Sequence, residues 1–268
     1  MIVITTLESN RVEGSLTSVE HRPFTTDHGA EGCMIVPLLR LLSYNVRSMR
    51  DDRAALARVI SSADPHVVCV QEAPRFLRWR STCAALARTS GLVVVGGGRP
   101  AGANLIMSTL GVDVTKTVDV LFSKDPGLHQ RGTAIAVLRL QGATFAVAGT
   151  HLDLRAEPRL RHIGELESAI RKHVPDGVPV IIAADVNDRP ESRAWAELTS
   201  LRTDALATAG VGSIFTSTAT DPYQTIDGIF ADPVITVRSA RVLDHPEVAI
   251  ASDHLPILAE LEIPANTA

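Results

Sequence analysis

Four short polar motifs each stand at one end of an apolar run. Ser43-Tyr44-Asn45 follows residues 38–42, Gln71-Glu72 follows 67–70, and Asp185-Val186-Asn187 follows 178–184; Ser252-Asp253-His254 precedes 255–261. Apolar runs of that length between turn signals read as buried strands. Side chains at strand ends gather at one edge of a packed sheet without burying unpaired charge. Carboxylates, two asparagines and an imidazole gathered in this way suit a divalent cation and an anionic substrate.

The motifs divide the chemistry among them. Glu72, with Asn45 from the preceding strand, makes a candidate Mg²⁺ or Mn²⁺ site, since hard cations take one or two carboxylates and keep several waters; a solvent-facing rim acid is the plainer reading. Asp185 and Asn187 alternate with Val186, so both point one way and could orient a water and a phosphate oxygen. The competing reading is an Asx turn capping a helix that begins near Pro190, a role Asp188 could also fill. Histidine ordinarily titrates near neutrality, so His254 suits a phosphate donor or general acid, with Asp227 as its orienting carboxylate. His151 ends another apolar strand as a second phosphate contact, and Arg131 could neutralise a phosphate oxygen. Taken singly, each histidine reads as a surface or cap residue. There is no Gly-rich phosphate loop with Lys and no Gly-x-Ser-x-Gly elbow, and Gly96-Gly97-Gly98 reads as a turn.

The elements that must position these residues alternate. Asp51-Asp52 caps a helix with Leu56, Val59, Ile60 and Ala63 on one face, and Pro74 opens a second whose stripe is Phe76, Trp79, Cys83 and Leu86. Strand candidates follow at 92–95, 104–107, 112–121, 133–140 and 144–148, the last two joined by a Gln141-Gly142 hairpin turn. A helix at 158–174 turns Ile163, Leu166, Ile170 and Val174 inward. After the 178–184 strand come a helix through Trp195 and Leu198 and strands at 225–230, 234–242 and 255–261. Meandering strands broken by helices indicate two packed sheets with helices outside.

Composition sets the outer bounds. The 268 residues are 45% hydrophobic with few aromatics, enough for a large aliphatic core. A formal net charge of -4 gives no global basic field toward nucleic acid. Two arginine clusters, Arg75/Arg78/Arg80 and Arg155/Arg159/Arg161, read as solvated helix faces, with a local basic patch as the alternative. Three cysteines, Cys33, Cys69 and Cys83, lack paired spacing, and Cys69 inside a strand reads as core. No run approaches the ~20 apolar residues of a membrane span, and no secretory signal is apparent, so a cytoplasmic protein is expected. Residues 1–33 lack periodicity and are expected to form a flexible extension, with Met34 as an alternative start and a short edge hairpin at 1–6 as the alternative structure. One domain is expected over residues 34–265.

In order and spacing, from Leu38 to Ile263, these motifs resemble the endonuclease/exonuclease/phosphatase superfamily with its DNase I-like fold. The resemblance implies an α/β (α+β) four-layered sandwich, two packed mixed sheets flanked by helices, with the site at one end between the sheets. It implies Mg²⁺-dependent hydrolysis of a phosphoester, with Mn²⁺ as the alternative cation; separately, a monomer is expected. Glu72 would be the principal metal ligand, with Asn45 and Asp253 at the metal. Asp185 would activate the water, Asn187 hold the scissile phosphate, and His254, partnered by Asp227, stabilise developing charge or protonate the leaving group. His151 and Arg131 would contact phosphate oxygens. Departures fall beside the site: Arg47-Ser48 follows Asn45-Val46, Ala184 precedes Asp185, and Thr225-Ile226-Asp227-Gly228 lacks a neighbouring charge and aromatic. They weaken an abasic-site DNA repair reading without touching the hydrolytic residues. The identity of the phosphoester stays open, with a DNA or RNA nuclease as one alternative and a non-catalytic phosphate-binding module as another.

Overall fold

The structure, a computed structural model, describes residues 36–265. The expected extension over 1–33, its alternative hairpin and the Met34 start lie outside these residues, as does Cys33. In chain order the elements are β1 (Leu38–Asn45), α1 (Arg53–Ser62), β2 (Val67–Gln71), α2 (Trp79–Thr89), β3 (Val93–Gly98), β4 (Asn104–Ser108), β5 (Val112–Leu121), β6 (Gly132–Leu140) and β7 (Ala143–His151). They continue with α3 (Ala156–His173), β8 (Val180–Asp185), α4 (Arg193–Thr199), β9 (Thr203–Asp204), α5 (Ala205–Ala209), β10 (Asp227–Ala231), β11 (Thr236–Val242), α6 (Val248–Ala251) and β12 (Ile257–Glu262).

The strands form two six-stranded sheets, ordered β11-β12-β1-β2-β4-β3 and β5-β6-β7-β8-β10-β9. Both are mixed: β1–β2 and β7–β8 are parallel, and the other neighbours are antiparallel. Strands apolar on both faces need cover on both, and alternation sorts their side chains. Leu39 and Leu41 of β1, Cys69, Ile106, Phe145, Ile181 and Ile229 meet between the sheets. Leu42, Tyr44, Val68 and Val70 turn outward to Leu56, Val59, Ile60, Cys83 and Leu86 of α1 and α2. On the other side Ala146, Ala148, Ile182 and Phe230 meet Ile163, Leu166, Ile170, Trp195 and Leu198 of α3 and α4. Helices, sheet, sheet and helices make the four layers expected.

Local chemistry agrees with most of the element ends. Asp52 Oδ1 accepts the N–H groups of Ala54 and Ala55 at 2.8 and 3.0 Å, the N-terminal cap of α1. Gln141 and Gly142 have φ of 49° and 91°, the two left-handed positions of a tight hairpin between β6 and β7.

Three elements differ from expectation. The second helix begins at Trp79 rather than Pro74, because the chain bends after Glu72 and the Ala73 N–H bonds the Ala103 carbonyl; Phe76 is therefore 81% exposed instead of lying on the helix stripe. Gly96-Gly97-Gly98 is not a turn but the end of β3, paired to β4 past a bulge. A Cβ on Gly98 would lie 2.2 Å from the Trp79 ring, so only glycine lets the strand pass beneath it. The fourth helix is capped by Ser192, whose hydroxyl accepts the Trp195 N–H, and neither Asp185 nor Asp188 caps it.

Candidate active site

Alternation that sends Leu39 and Leu41 between the sheets sends Asn45 there too, and the same parity carries His151, Asp185 and Asp227 inward from β7, β8 and β10. The strand register places His151 opposite Asp185 and Asp185 opposite Asp227, a polar row where the apolar core ends. All four are buried. The Asn45 amide donates to Asp185 Oδ2 at 2.7 Å, joining the two sheets, and Asp185 Oδ1 accepts the Asn187 N–H at 3.1 Å. With both oxygens held, the carboxylate is fixed in orientation.

His254 precedes β12 and closes the row. Its Nδ1 lies 2.9 Å from Asp227 Oδ2, the pairing expected from the sequence, and its ring lines the cleft. Burial would push its pKa down; Asp227, and behind it Asp185 and Asp253, outweigh that and raise it to about 10. The imidazole is therefore an imidazolium at neutral pH, donating to Asp227 and leaving Nε2–H free toward the cleft. His151 has the opposite fate. Burial pushes its pKa down to about 3 despite Asp185 at 3.3 Å, with Arg131 adding to the fall. It is neutral, and its Nε2 accepts from the Asn187 amide at 2.8 Å, so the short approach to Asp185 is not an ion pair. Asn187 also donates to the Leu152 carbonyl at 3.0 Å, and its φ of 54° turns it back over β7.

Glu72 reaches the cleft by a different device. It follows β2 with φ of 53°, uncommon for a residue with a side chain, and its carbonyl accepts the Ser48 N–H at 2.9 Å. Residues Arg47, Ser48 and Met49 are themselves left-handed, at 45°, 58° and 53°, and bring Ser48 to the rim. The Glu72 carboxylate is half-buried and has no hydrogen bond or ion pair among the described residues. Asn45 Oδ1 accepts only the Arg47 N–H, at 3.0 Å, and keeps a second lone pair. Unpaired carboxylate and amide oxygens fit a hard divalent cation. Asp185, Asp227 and His254 also offer atoms within 4.8 Å of one another. His254 has no lone pair to give while it is protonated and bonded to Asp227, which favours the Glu72–Asn45 side.

The cleft, about 230 Å³, is lined by Glu72, Arg131, His151, Asp185, Asn187 and His254 among others. Thus the structure gathers eight of the nine residues singled out, counting Asn45 and Asp227 just behind the lining. Asp253 is not brought in: its half-exposed carboxylate pairs with Arg47 Nε at 3.2 Å, outside the lining. A larger cavity of about 800 Å³ between α1 and α2, bordered by Met49, Ala57 and Leu86, contains no acid or histidine.

Several lining residues were not singled out. Arg75 belonged to a cluster read as a solvated helix face, yet it lies in the loop before α2 and faces the cleft beside Arg131. Arg50, His129 and Leu154 sit in polar loops without a pattern to mark them. Arg159, from the other cluster, is 5% exposed: it donates to the Asp153 and Leu154 carbonyls at 2.9 and 2.7 Å and pairs with Asp188, tying the loop after β7 to the loop after β8.

A model of the Endonuclease/Exonuclease/phosphatase family matches residues 42–254. No curated protein matches the chain. Among solved structures, an endonuclease/exonuclease/phosphatase from Bacteroides vulgatus superposes with a TM-score of 0.72 at 20% identity, covering 85% of this chain and 100% of its own. A mannosyl-6-phosphatase from Bacteroides thetaiotaomicron gives 0.71 at 18% identity, over 83% of this chain and 99% of that one. TDP2 from D. rerio, complexed with a single-strand DNA product, gives 0.64 at 20% identity, over 86% and 99%. At these identities the likeness is one of fold.

Proposed function

Because the chain belongs to the endonuclease/exonuclease/phosphatase family, we propose that it is a divalent-metal-dependent hydrolase of phosphoester bonds, working in the cleft between its two sheets. The observation that carries the reading is the row His151–Asp185–Asp227 with His254, a fixed carboxylate beside one neutral and one charged imidazole.

Asp185 is the base. Asn45 and the Asn187 N–H hold its oxygens, so a water beside it gives up its proton to a carboxylate that does not reorient. Asn187 lies beside the place of the phosphoryl group and donates to it by giving up one of its two present bonds, to neutral His151 or to the Leu152 carbonyl, and Arg131 pairs with a non-bridging oxygen. His254, held by Asp227, presents a fixed positive N–H to the charge that grows on the phosphoryl oxygens in the transition state. Glu72, with Asn45, would hold Mg²⁺ or Mn²⁺, which when bound would supply Lewis-acid neutralisation of charge on those oxygens. Asp253 reaches that metal only after leaving Arg47, so it has the weakest support of the proposed ligands.

The substrate is tested by a panel in Mg²⁺ or Mn²⁺: a phosphomonoester, a phosphodiester, nicked and abasic DNA, RNA and phospholipid headgroups. The mannosyl-6-phosphatase and the DNA-bound TDP2 among the neighbours justify including both small esters and nucleic acid. Turnover of at least one member is expected. Inactivity on all of them, with phosphate ligands still bound, would favour the non-catalytic binding module. No helix among the described residues is long and apolar enough to cross a membrane. A monomeric, cytoplasmic enzyme with one catalytic domain over 34–265 remains the proposal.

A further inference from the structure

We propose that the cleft is shaped for the terminal phosphate of a phosphomonoester, gripped by Arg131 and Arg75, and that Arg75 sets the preference for this dianion over a phosphodiester. The inference rests on the hydrolase reading above and specifies its substrate.

Arg131 carries the first part. It is 7% exposed, it lines the cleft, and its guanidinium has no hydrogen bond or ion pair among the described residues. A guanidinium has five donors and cannot shed its charge, so burying one without a partner is costly unless an anion takes it up. Its backbone is pinned for the purpose. The Phe122 N–H bonds the Arg131 carbonyl at 3.0 Å, and Asn104 donates to the next carbonyl, of Gly132, at 2.9 Å. Gly102 packs so closely that a Cβ there would lie 2.6 Å from the Arg131 carbonyl carbon.

Arg75 carries the second. It is half-buried and meets only the Gln130 carbonyl and His129 Nδ1, each at 3.4 Å, long contacts that leave it available. Two guanidinium groups thus share one wall with no carboxylate paired to either. The acids lining the cleft, Glu72 and Asp185, are taken by the proposed metal and water. A phosphomonoester carries close to two negative charges at neutral pH, and a diester carries one. The former brings a third non-bridging oxygen and more charge for the second arginine to meet.

The test compares p-nitrophenyl phosphate with bis(p-nitrophenyl) phosphate, which share a leaving group, and titrates inorganic phosphate by calorimetry with and without Mg²⁺. Arg75→Gln is the variant, because Arg75 is half-exposed and its replacement leaves the core intact; a melting curve confirms folding. The ratio of monoester to diester kcat/KM is expected to fall about tenfold or more, and phosphate binding to weaken by a similar factor. An unchanged ratio, or phosphate binding indifferent to the substitution, overturns the proposal. If the wild-type protein turned over neither ester, the hydrolase reading would rest on the wider substrate panel, and the phosphate titration alone would decide for or against the arginine grip.

Discussion

His151 and His254 reach one cleft and finish in opposite protonation states, because burial outweighs Asp185 at His151 whereas Asp227 outweighs burial at His254. The linkage signs follow. His254 binds its proton more tightly folded than unfolded, so its pair with Asp227 contributes stability that is complete below the ordinary value near 6.5 and lost as pH rises through about 10. His151 is held neutral, so it costs stability as pH falls from about 6.5 toward 3, where the unfolded chain takes up a proton that the native one refuses. Asp227→Asn removes the carboxylate and leaves burial to dominate His254. In the wild type, kcat should hold across neutral and mildly alkaline pH. In the variant it should already fall as pH rises through the mildly acidic range, below the ordinary value near 6.5, with a loss on the order of 10² at pH 8. The melting temperature of the variant should also lose its alkaline decline. A kcat–pH profile and an NMR titration of the His254 ring check both, and an unmoved ring titration would contradict the assignment.

Among the elements, β7 and β8 owe their positioning to what lies behind them. Arg159 spans the loops that follow both, and Asn187 and His151 sit where those loops meet. Arg159→Ala orphans two carbonyls and a partly exposed Asp188, a loss of about 2 kcal/mol after allowance for that exposure. Amide exchange over residues 152–155 should quicken and kcat should fall more than KM rises, with Arg159→Lys recovering part of the loss. Unchanged exchange would show that the loops hold without it. The sequence already carried a sign of this residue: Arg159 lies four positions before Ile163, on the inward stripe of α3, and only its charge made it look solvated. Strand ends were legible because apolar runs stop abruptly at Asn45, Gln71, Ala184 and Leu255. What alternation cannot show is a bend made by left-handed residues without glycine. Glu72 and the turn at 47–49 redirect the chain in this way, and they account for exposed Phe76, for Arg75 in the cleft and for Asp253 held by Arg47. The strand at Gly96–Gly98 was likewise hidden, since its glycines answer to the Trp79 ring rather than to a turn.

For the whole molecule, the site exists only because two sheets close on each other. Asn45 of one sheet bonds Asp185 of the other, and the Gln71 amide reaches Ser43 on its own sheet and the Ala183 carbonyl across the gap. The aliphatic layer between the sheets sets that separation, and the polar row occupies the end where the layer stops. The proposed account joins family, fold and row: Glu72 and Asn45 would hold a metal, and Asp185 would deprotonate the water. The most direct measurement is the initial rate of phosphoester hydrolysis by the wild type in Mg²⁺, in excess chelator and after Mg²⁺ is restored, beside Asp185→Ala in Mg²⁺. The rate should vanish with chelator, return with the metal, and drop by a factor on the order of 10² or more in the variant. Full activity in chelator, or a variant within about threefold of the wild type, would contradict the account.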